Sequence, residues 1–445
     1  MSVLDELAAL RGLDLPVRGG TTWAYVYDSG SDEIASVAAA AYAEMLDVNM
    51  LDPTAFPSVV ALENSVVGTV AGVLGGGAGV FTSGGTESCL LAVLAARTSS
   101  GGSEIVVPVT AHPAFAKAAH LLGMDLVVTP VDDSFRAVPS AVADAITDRT
   151  ALVVASAPSY PTGTCDPVAP IASLAAARGV LCHVDACIGG WVLPFLPDAP
   201  AFDLTVPGVT SLSVDLHKYG YAPKGASVVL FASRELRRAA YFAYAGWPGY
   251  PVLNPTLQSA RSAGPLAAAW AVLEHVGLDG YRALALSARQ ALLSLADGVA
   301  AIDGLRVLGV PDTTLLAVAG SDVDVFVVAD ELRDRGFYAQ VQLSLDEVPP
   351  TLHFSAHAVS RSTVDAMVTA LRAAVEAARA AGPAAPVDLS GADLSTVDEA
   401  GFVELLVASG LSLERMAPVN ATLDALPVPA REHVLRLFLS TMLTP

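Results

Sequence analysis

Ser211-Leu212-Ser213-Val214-Asp215-Leu216-His217-Lys218-Tyr219-Gly220-Tyr221-Ala222-Pro223-Lys224-Gly225 joins an apolar run to an aromatic cluster holding two of the chain's three lysines. The third is Lys117, against 21 arginines. A guanidinium does not deprotonate, so an amine nucleophile is one task arginine cannot take over. Lys218 follows His217 just beyond a strand expected over residues 206–213. It is therefore a candidate Schiff-base former, provided its neighbours lower its pKa. The alternative is a surface lysine on a loop, and the bulky, ordering residues Tyr219, Tyr221 and Pro223 argue against it.

Two further stretches carry chemistry. Phe81-Thr82-Ser83-Gly84-Gly85-Thr86-Glu87-Ser88 precedes an apolar run, residues 90–96, that reads as a helix. Its glycines let the backbone approach an anion, and free amides at a helix start can hold a phosphate. It has neither the GK[ST] ending of a Walker loop nor a GxGxxG fingerprint, and an ordinary helix cap would look the same. In His183-Val184-Asp185-Ala186-Cys187, Asp185 follows an apolar strand directly. Strand ends of such sheets are where ligands bind, and a carboxylate there can hold a protonated ring nitrogen or merely cap a turn. A metal is not expected, because Cys182 points away and no ligand pair stands elsewhere at metal-site spacing. A phosphate cradle, a carboxylate for a ring nitrogen and an amine nucleophile are together what pyridoxal 5'-phosphate requires.

Around these stretches, short apolar runs alternate with helical ones, with strands expected near residues 104–109, 126–131, 151–155, 180–184, 206–213 and 227–231. That is the signature of an α/β fold with a sheet covered on both faces. Residues 57–96 read as two helical runs around a glycine turn. Within them, residues 64–86 carry no charge over a length that mimics a membrane span, but Gly75-Gly76-Gly77 and the glycine turn after Thr82 argue against one. A helical stretch over 264–299 is expected to break at Gly280. Beyond it, runs at 305–308, 314–318, 325–328, 338–343 and 352–355 read as strands of a smaller α+β domain closed by a helix over 363–380. The expected division is an N-terminal arm (1–56), a large domain (57–270), a small domain (271–385) and a helical appendix (386–445), with amphipathic runs at 397–409 and 430–442.

Composition narrows the function. With 24 basic and 45 acidic residues the formal charge is -21, which opposes binding to nucleic acid or an anionic membrane. At 53% apolar and 16% charged residues, the 445-residue chain is not disordered. Four cysteines form no CxxC and no disulfide framework. Asp5 and Glu6 interrupt the first residues, so no signal peptide is expected and a cytoplasmic protein is.

The stretches 81–88, Tyr160-Pro161-Thr162-Gly163, 183–185 and 213–225, in this order, resemble fold-type I pyridoxal-phosphate enzymes of the group II amino-acid decarboxylase and sphingosine-1-phosphate lyase branch, nearest its lyase-like side. The resemblance spans roughly residues 20–380. It implies a fold-type I large domain with a mostly parallel sheet, a small α+β C-terminal domain, and a homodimer with sites at the subunit interface. By the same resemblance Lys218 carries the cofactor, Asp185 pairs with the pyridine nitrogen, and His112 stacks on the ring with Lys117 at the family's spacing. Ser83, Gly84, Gly85, Thr86 and His217 lie at the cofactor phosphate, Lys224 near a substrate's phosphate end, and Tyr27 in the active site. Two departures concern the substrate. Asp52 stands where the lyases carry a histidine, and an acid there would repel a substrate phosphate. The family's threonine-x-x-glycine-serine-arginine becomes Thr256-Leu257-Gln258-Ser259-Ala260-Arg261, which keeps the arginine, a candidate with Arg361 for a carboxylate contact, but at Ala260 loses a hydroxyl that could touch a substrate phosphate from the neighbouring subunit. The lyases' membrane anchor is not expected here. The expectation is thus a carbon–carbon lyase acting on a small amino acid by decarboxylation. Retro-aldol cleavage of a β-hydroxy amine, transamination and a non-catalytic dimeric scaffold stay open.

Overall fold

A computed structural model describes residues 2–387, 396–409 and 414–443; the parts of the expected appendix at 388–395 and 410–413 lie outside them. Before the main sheet come α1 (Val3–Arg11), α2 (Asp32–Glu44) and α3 (Pro57–Val73). The large domain then runs β1 (Ala78–Thr82), α4 (Gly85–Ser100), β2 (Glu104–Pro108), α5 (Ala114–Leu122), β3 (Asp125–Thr129), α6 (Pro139–Ala145), β4 (Thr150–Ser156), α7 (Val168–Ala177), β5 (Leu181–Asp185), β6 (Ser211–Val214) and β7 (Ser227–Phe231). Their seven-stranded sheet has the order β1-β7-β6-β5-β4-β2-β3. Strands β3, β2, β4, β5 and β6 pair in parallel, and β7 runs antiparallel to both neighbours. Every residue of β2, β4, β6 and β7 is buried, as expected of strands covered on both faces.

The charge-free segment divides into α3, a glycine turn and β1. Gly75, Gly76 and Gly77 all have φ between 86° and 101°, a region L side chains avoid, so they end the helix and turn the chain into the sheet. The strand β1, where a helix was expected, is fixed by its five-residue register with β7. No described helix is long and apolar enough to cross a membrane.

After α8 (Arg234–Ala239), β8 (Phe242–Tyr244) and β9 (Val252–Asn254) form a separate hairpin. The helix α9 (Gly264–Ala300) follows, bent at Gly277 (φ 61°, ψ 168°) and not at Gly280, which stays helical. Val272, Tyr281 and Ala288 of α9 pack in the large core, and Ala291, Leu295 and Val299 in a second core. That second core lies under an antiparallel sheet, β10-β11-β13-β12, made of β10 (Leu305–Leu308), β11 (Leu315–Gly320), β12 (Gln340–Gln342) and β13 (Thr351–Ser355). Residues 325–328, expected as a strand, open the helix α10 (Val325–Asp334). Asp324 caps it by accepting from the Phe326 N–H (2.8 Å), which outweighs the β-branched run. Helix α11 (Val364–Ala381) closes this domain. Two appendix helices match the amphipathic runs, α12 (Glu399–Ser409) and α14 (Val428–Met442), and between them stands α13 (Ala417–Ala425), which had not been foreseen. The N-terminal arm also joins this sheet: the Trp23 N–H donates to Tyr338 O (2.8 Å), and Trp23 O accepts from the Ser355 N–H (2.6 Å).

Candidate active site

The ends of β1, β4, β5 and β6 converge on a cavity of about 390 Å³. Ser83, Gly84, Gly85 and Thr86 line one wall; His112, Asp185, His217 and Lys218 line the others. The cradle stands at the start of α4, where unpaired amides favour an anion. It is braced from behind. The Glu87 carboxylate accepts from the Ser83 N–H (2.7 Å) and the Leu257 N–H (2.8 Å). Thr82, Ser88 and Ser227 form a buried hydroxyl chain at 2.6 and 2.8 Å.

Register sets the carboxylate. Asp185 lies beside Ser156 on one strand and Ser213 on the other. Its Oδ1 accepts from the Cys187 N–H (3.1 Å) and the Ser213 hydroxyl (3.4 Å). His183, inside the sheet, bonds to the Ser211 and Ser213 hydroxyls, and burial pushes its ring down to about 4, so it is neutral.

Lys218 lies beyond β6, and its Nζ is 3.0 Å from Asp215 Oδ2. Burial works against the charge on Lys218, yet Asp215 overcomes it and holds the amine well above its ordinary value. Burial likewise opposes the charge on Asp215, but Lys218 and His217 keep its carboxyl below the usual range. His217 Nδ1 accepts from the Ala226 N–H (3.2 Å), so the ring proton is on Nε2, 3.5 Å from Asp215.

Sequence reasoning alone gives Asp215 no role. Its position three residues before Lys218, in a run otherwise without acids, was the available signal. Tyr160 also lines the cavity. Its hydroxyl donates to Gln340 Oε1 (2.5 Å) and its ring stacks on His353 at 4.2 Å, so the small domain braces this wall. Tyr27 packs edge-on against Tyr219 (5.1 Å), beside the cavity.

Besides Tyr27 and Lys224, four expected residues do not line this cavity. Asp52 is exposed, and its Oδ1 accepts from the Thr54 N–H, the Thr54 hydroxyl and the Ala55 N–H, so it stabilises its own turn. Arg261 donates to Phe81 O (3.1 Å) and supports the cradle from behind. Arg361 is exposed and reaches Ser294. Lys117 is also exposed, on α5.

The walls fit pyridoxal phosphate. A Cβ on Gly85 would lie 2.6 Å from Cys187 Sγ and 2.7 Å from Asp215 Oδ2, and one on Gly84 would lie 3.3 Å from His217 Cε1. A backbone cradle closed to side chains, with a carboxylate and an amine on adjoining walls, suits the three ends of that cofactor.

The class-V aminotransferase family model matches residues 69–248, and a C-terminal domain model of pyridoxal-dependent enzymes, labelled HTH, matches residues 366–441. The sphingosine-1-phosphate lyase of Dictyostelium discoideum is 40% identical over 317 residues, which cover 68% of this chain and 59% of that protein. The rice sphingosine-1-phosphate lyase is 36% identical over 79% of this chain and 68% of its own. The chain thus spans about three fifths to two thirds of the length of these relatives. A solved sphingosine-1-phosphate lyase of Burkholderia pseudomallei superposes with a TM-score of 0.80 at 34% identity, covering 85% of this chain and 91% of that one. Glutamate decarboxylase of Lactobacillus brevis, at 20% identity and a TM-score of 0.74, shares the fold. The chain is a fold-type I pyridoxal-phosphate-dependent enzyme of the family that contains the sphingosine-1-phosphate lyases and related decarboxylases.

Proposed function

We propose that the protein is a carbon–carbon lyase that cleaves a phosphorylated β-hydroxy amine by retro-aldol chemistry, giving an aldehyde and a shorter phosphorylated amine. The observation that carries this reading is the graded likeness. Relatives at 31–40% identity are named sphingosine-1-phosphate lyases, whereas a decarboxylase matches at the level of fold. Decarboxylation of a small amino acid, the first expectation, rested on Asp52 repelling a substrate phosphate and on Ala260 lacking the hydroxyl that could touch one. That carboxylate accepts hydrogen bonds within its own turn and does not line this chain's cavity, which weakens the first of these objections.

We assign the roles accordingly. Ser83, Gly84, Gly85, Thr86 and His217 hold the cofactor phosphate, His112 covers the ring and Asp185 holds the proton of its nitrogen. When bound, pyridoxal phosphate supplies the sink for the electron pair left on carbon as the bond breaks. Lys218 anchors the cofactor and, once displaced by the substrate amine, returns a proton to that carbon. Tyr27 takes part in moving the substrate hydroxyl's proton, and Lys224 meets the substrate phosphate.

The active form is a homodimer with sites near the subunit interface. Supporting this, the β8–β9 hairpin and its turn expose Phe242, Tyr244, Trp247 and Tyr250, each 44–57% accessible. Action in the cytoplasm, and the division into arm, large domain, small domain and appendix, belong to the same proposal.

Product mass spectrometry tests it. Cofactor-loaded protein and a Lys218→Ala control are incubated with phosphorylated long-chain β-hydroxy amines and, separately, with an amino-acid pool. An aldehyde formed only by the intact enzyme supports the reading. An amine lighter than its parent by one carbon dioxide, with no aldehyde, overturns it.

A further inference from the structure

Asp215 lines the cavity and is almost fully buried. Its Oδ2 lies 3.0 Å from Lys218 Nζ and 3.5 Å from His217 Nε2. Its Oδ1 is buried and has no hydrogen-bond partner. The carboxylate lies so close under the cradle that only glycine fits at position 85. A buried carboxylate with a free oxygen is held there by its charge partner, and that partner is the amine. The other titratable groups facing the pair are Tyr27, Cys187, Asp185, Cys89 and Lys224. Of these, Lys224 brings a further positive charge, which interacts with both members of the pair.

We propose that Asp215 is a positioning residue that holds Lys218 as an oriented ammonium: as the substrate displaces the lysine, the proton that the substrate's own ammonium gives up passes to Lys218, which then stands ready to donate it. The arrangement has a consequence for cofactor loading. Loading forms a carbon–nitrogen double bond between Lys218 Nζ and the cofactor's aldehyde carbon, with loss of one water. It begins from the neutral amine, so the ammonium must first give its proton to solvent. Asp215 therefore slows loading at neutral pH while preparing the lysine for turnover. This inference rests on the cofactor being carried by Lys218, and not on which substrate bond is cleaved. Loading is measured without substrate, so a failed retro-aldol assay leaves it standing.

The test is the initial rate of pyridoxal-phosphate uptake by cofactor-free protein between pH 6 and 10, followed by visible absorbance. Asp215→Asn, which keeps the shape and removes the charge, is expected to load at least about tenfold faster at pH 7, since each unit by which the amine's pKa falls multiplies its neutral fraction by about ten. A wild-type rate and pH midpoint in Asp215→Asn would overturn the proposal. A second measurement needs no variant: arylation of Lys218 by trinitrobenzenesulfonate in the cofactor-free wild type, read by peptide mass. Its midpoint is expected above that of an ordinary lysine, and a midpoint at or below that value also overturns the proposal.

Discussion

The ammonium of Lys224 stands 4.8 Å from the centre of the Tyr27 ring, over its face. Lys224 Nζ also donates to His217 O (3.4 Å), so two weak contacts aim a largely exposed amine across the mouth of the site. Partial burial and the neighbouring Lys218 push it down to about 8. An amine of this kind is charged below pH 8 and loses its charge above it. For a phosphorylated substrate, KM should therefore climb as pH rises from 7 to 9. Lys224→Met should remove that dependence and raise KM roughly thirtyfold, for a charged contact of about 2 kcal/mol. A flat KM profile in the wild type would sink this role.

Gly85→Ala should abolish cofactor retention while leaving the fold intact. The added methyl meets Cys187 Sγ and Asp215 Oδ2 well inside contact distance, and either the cradle or the Asp215 carboxylate must move. The visible absorbance of purified protein reads this directly; full occupancy in the variant would show that the cradle tolerates a side chain.

Asp330 links the appendix to the small domain. Its two oxygens accept from the Met416 N–H (3.0 Å) and the Ala417 N–H (2.9 Å), capping α13 from a buried position on α10. Arg415 adds ion pairs to Glu331 and Asp334. Asp330→Ala leaves both N–H groups unpaired, a loss of about 2 kcal/mol that raises the undocked population roughly thirtyfold. Limited proteolysis after residue 381 should accelerate correspondingly, with the product of cleavage retaining its cofactor colour.

Asp166 accepts from the Ala137 N–H (2.8 Å) and the Ser156 N–H (2.7 Å), yet burial pushes its carboxyl up to about 6. Its folded pKa thus lies above the unfolded value near 4. The stability it contributes is complete below the unfolded pKa and is lost as pH rises through 6. Asp166→Asn cannot titrate. The stability gap between wild type and variant should therefore shrink by about 1.4 kcal/mol from pH 5 to pH 7 in urea denaturation. A constant gap would refute the assignment.

Gly277→Ala isolates a conformational effect. Nothing lies within 4 Å of the added Cβ, but φ is 61°. The substitution should cost about 1–3 kcal/mol through backbone strain alone, visible as a lower urea midpoint with unchanged slope.

Much of this site was legible because its chemistry is local in sequence. Lys218, His217 and Asp215 share one turn, the cradle is continuous from Ser83 to Thr86, and Asp185 ends an apolar strand. What escaped depends on distant partners. Arg261 reads as a free cation until Phe81 O is placed beside it, and Asp52 reads as a pocket acid until its own turn closes around it. Residues 325–328 favour a strand by side-chain shape, and the cap at Asp324 reverses that preference. Strand β1 is short and glycine-containing, and only its pairing with β7 defines it. The break in α9 falls at Gly277, which takes φ 61°, while Gly280 stays helical, and composition alone does not distinguish two glycines three residues apart.

The helix α9 belongs to two cores at once, giving one stretch of its length to each. Neither core can dissolve without baring the rod that the other is built on. Cooperativity therefore extends across both, and calorimetry should see them melt in one event. A scission near residue 270 or 290 would leave both fragments with an unmatched apolar stripe. The small domain is therefore tied to the sheet behind Lys218 by a shared helix and not by a loop alone.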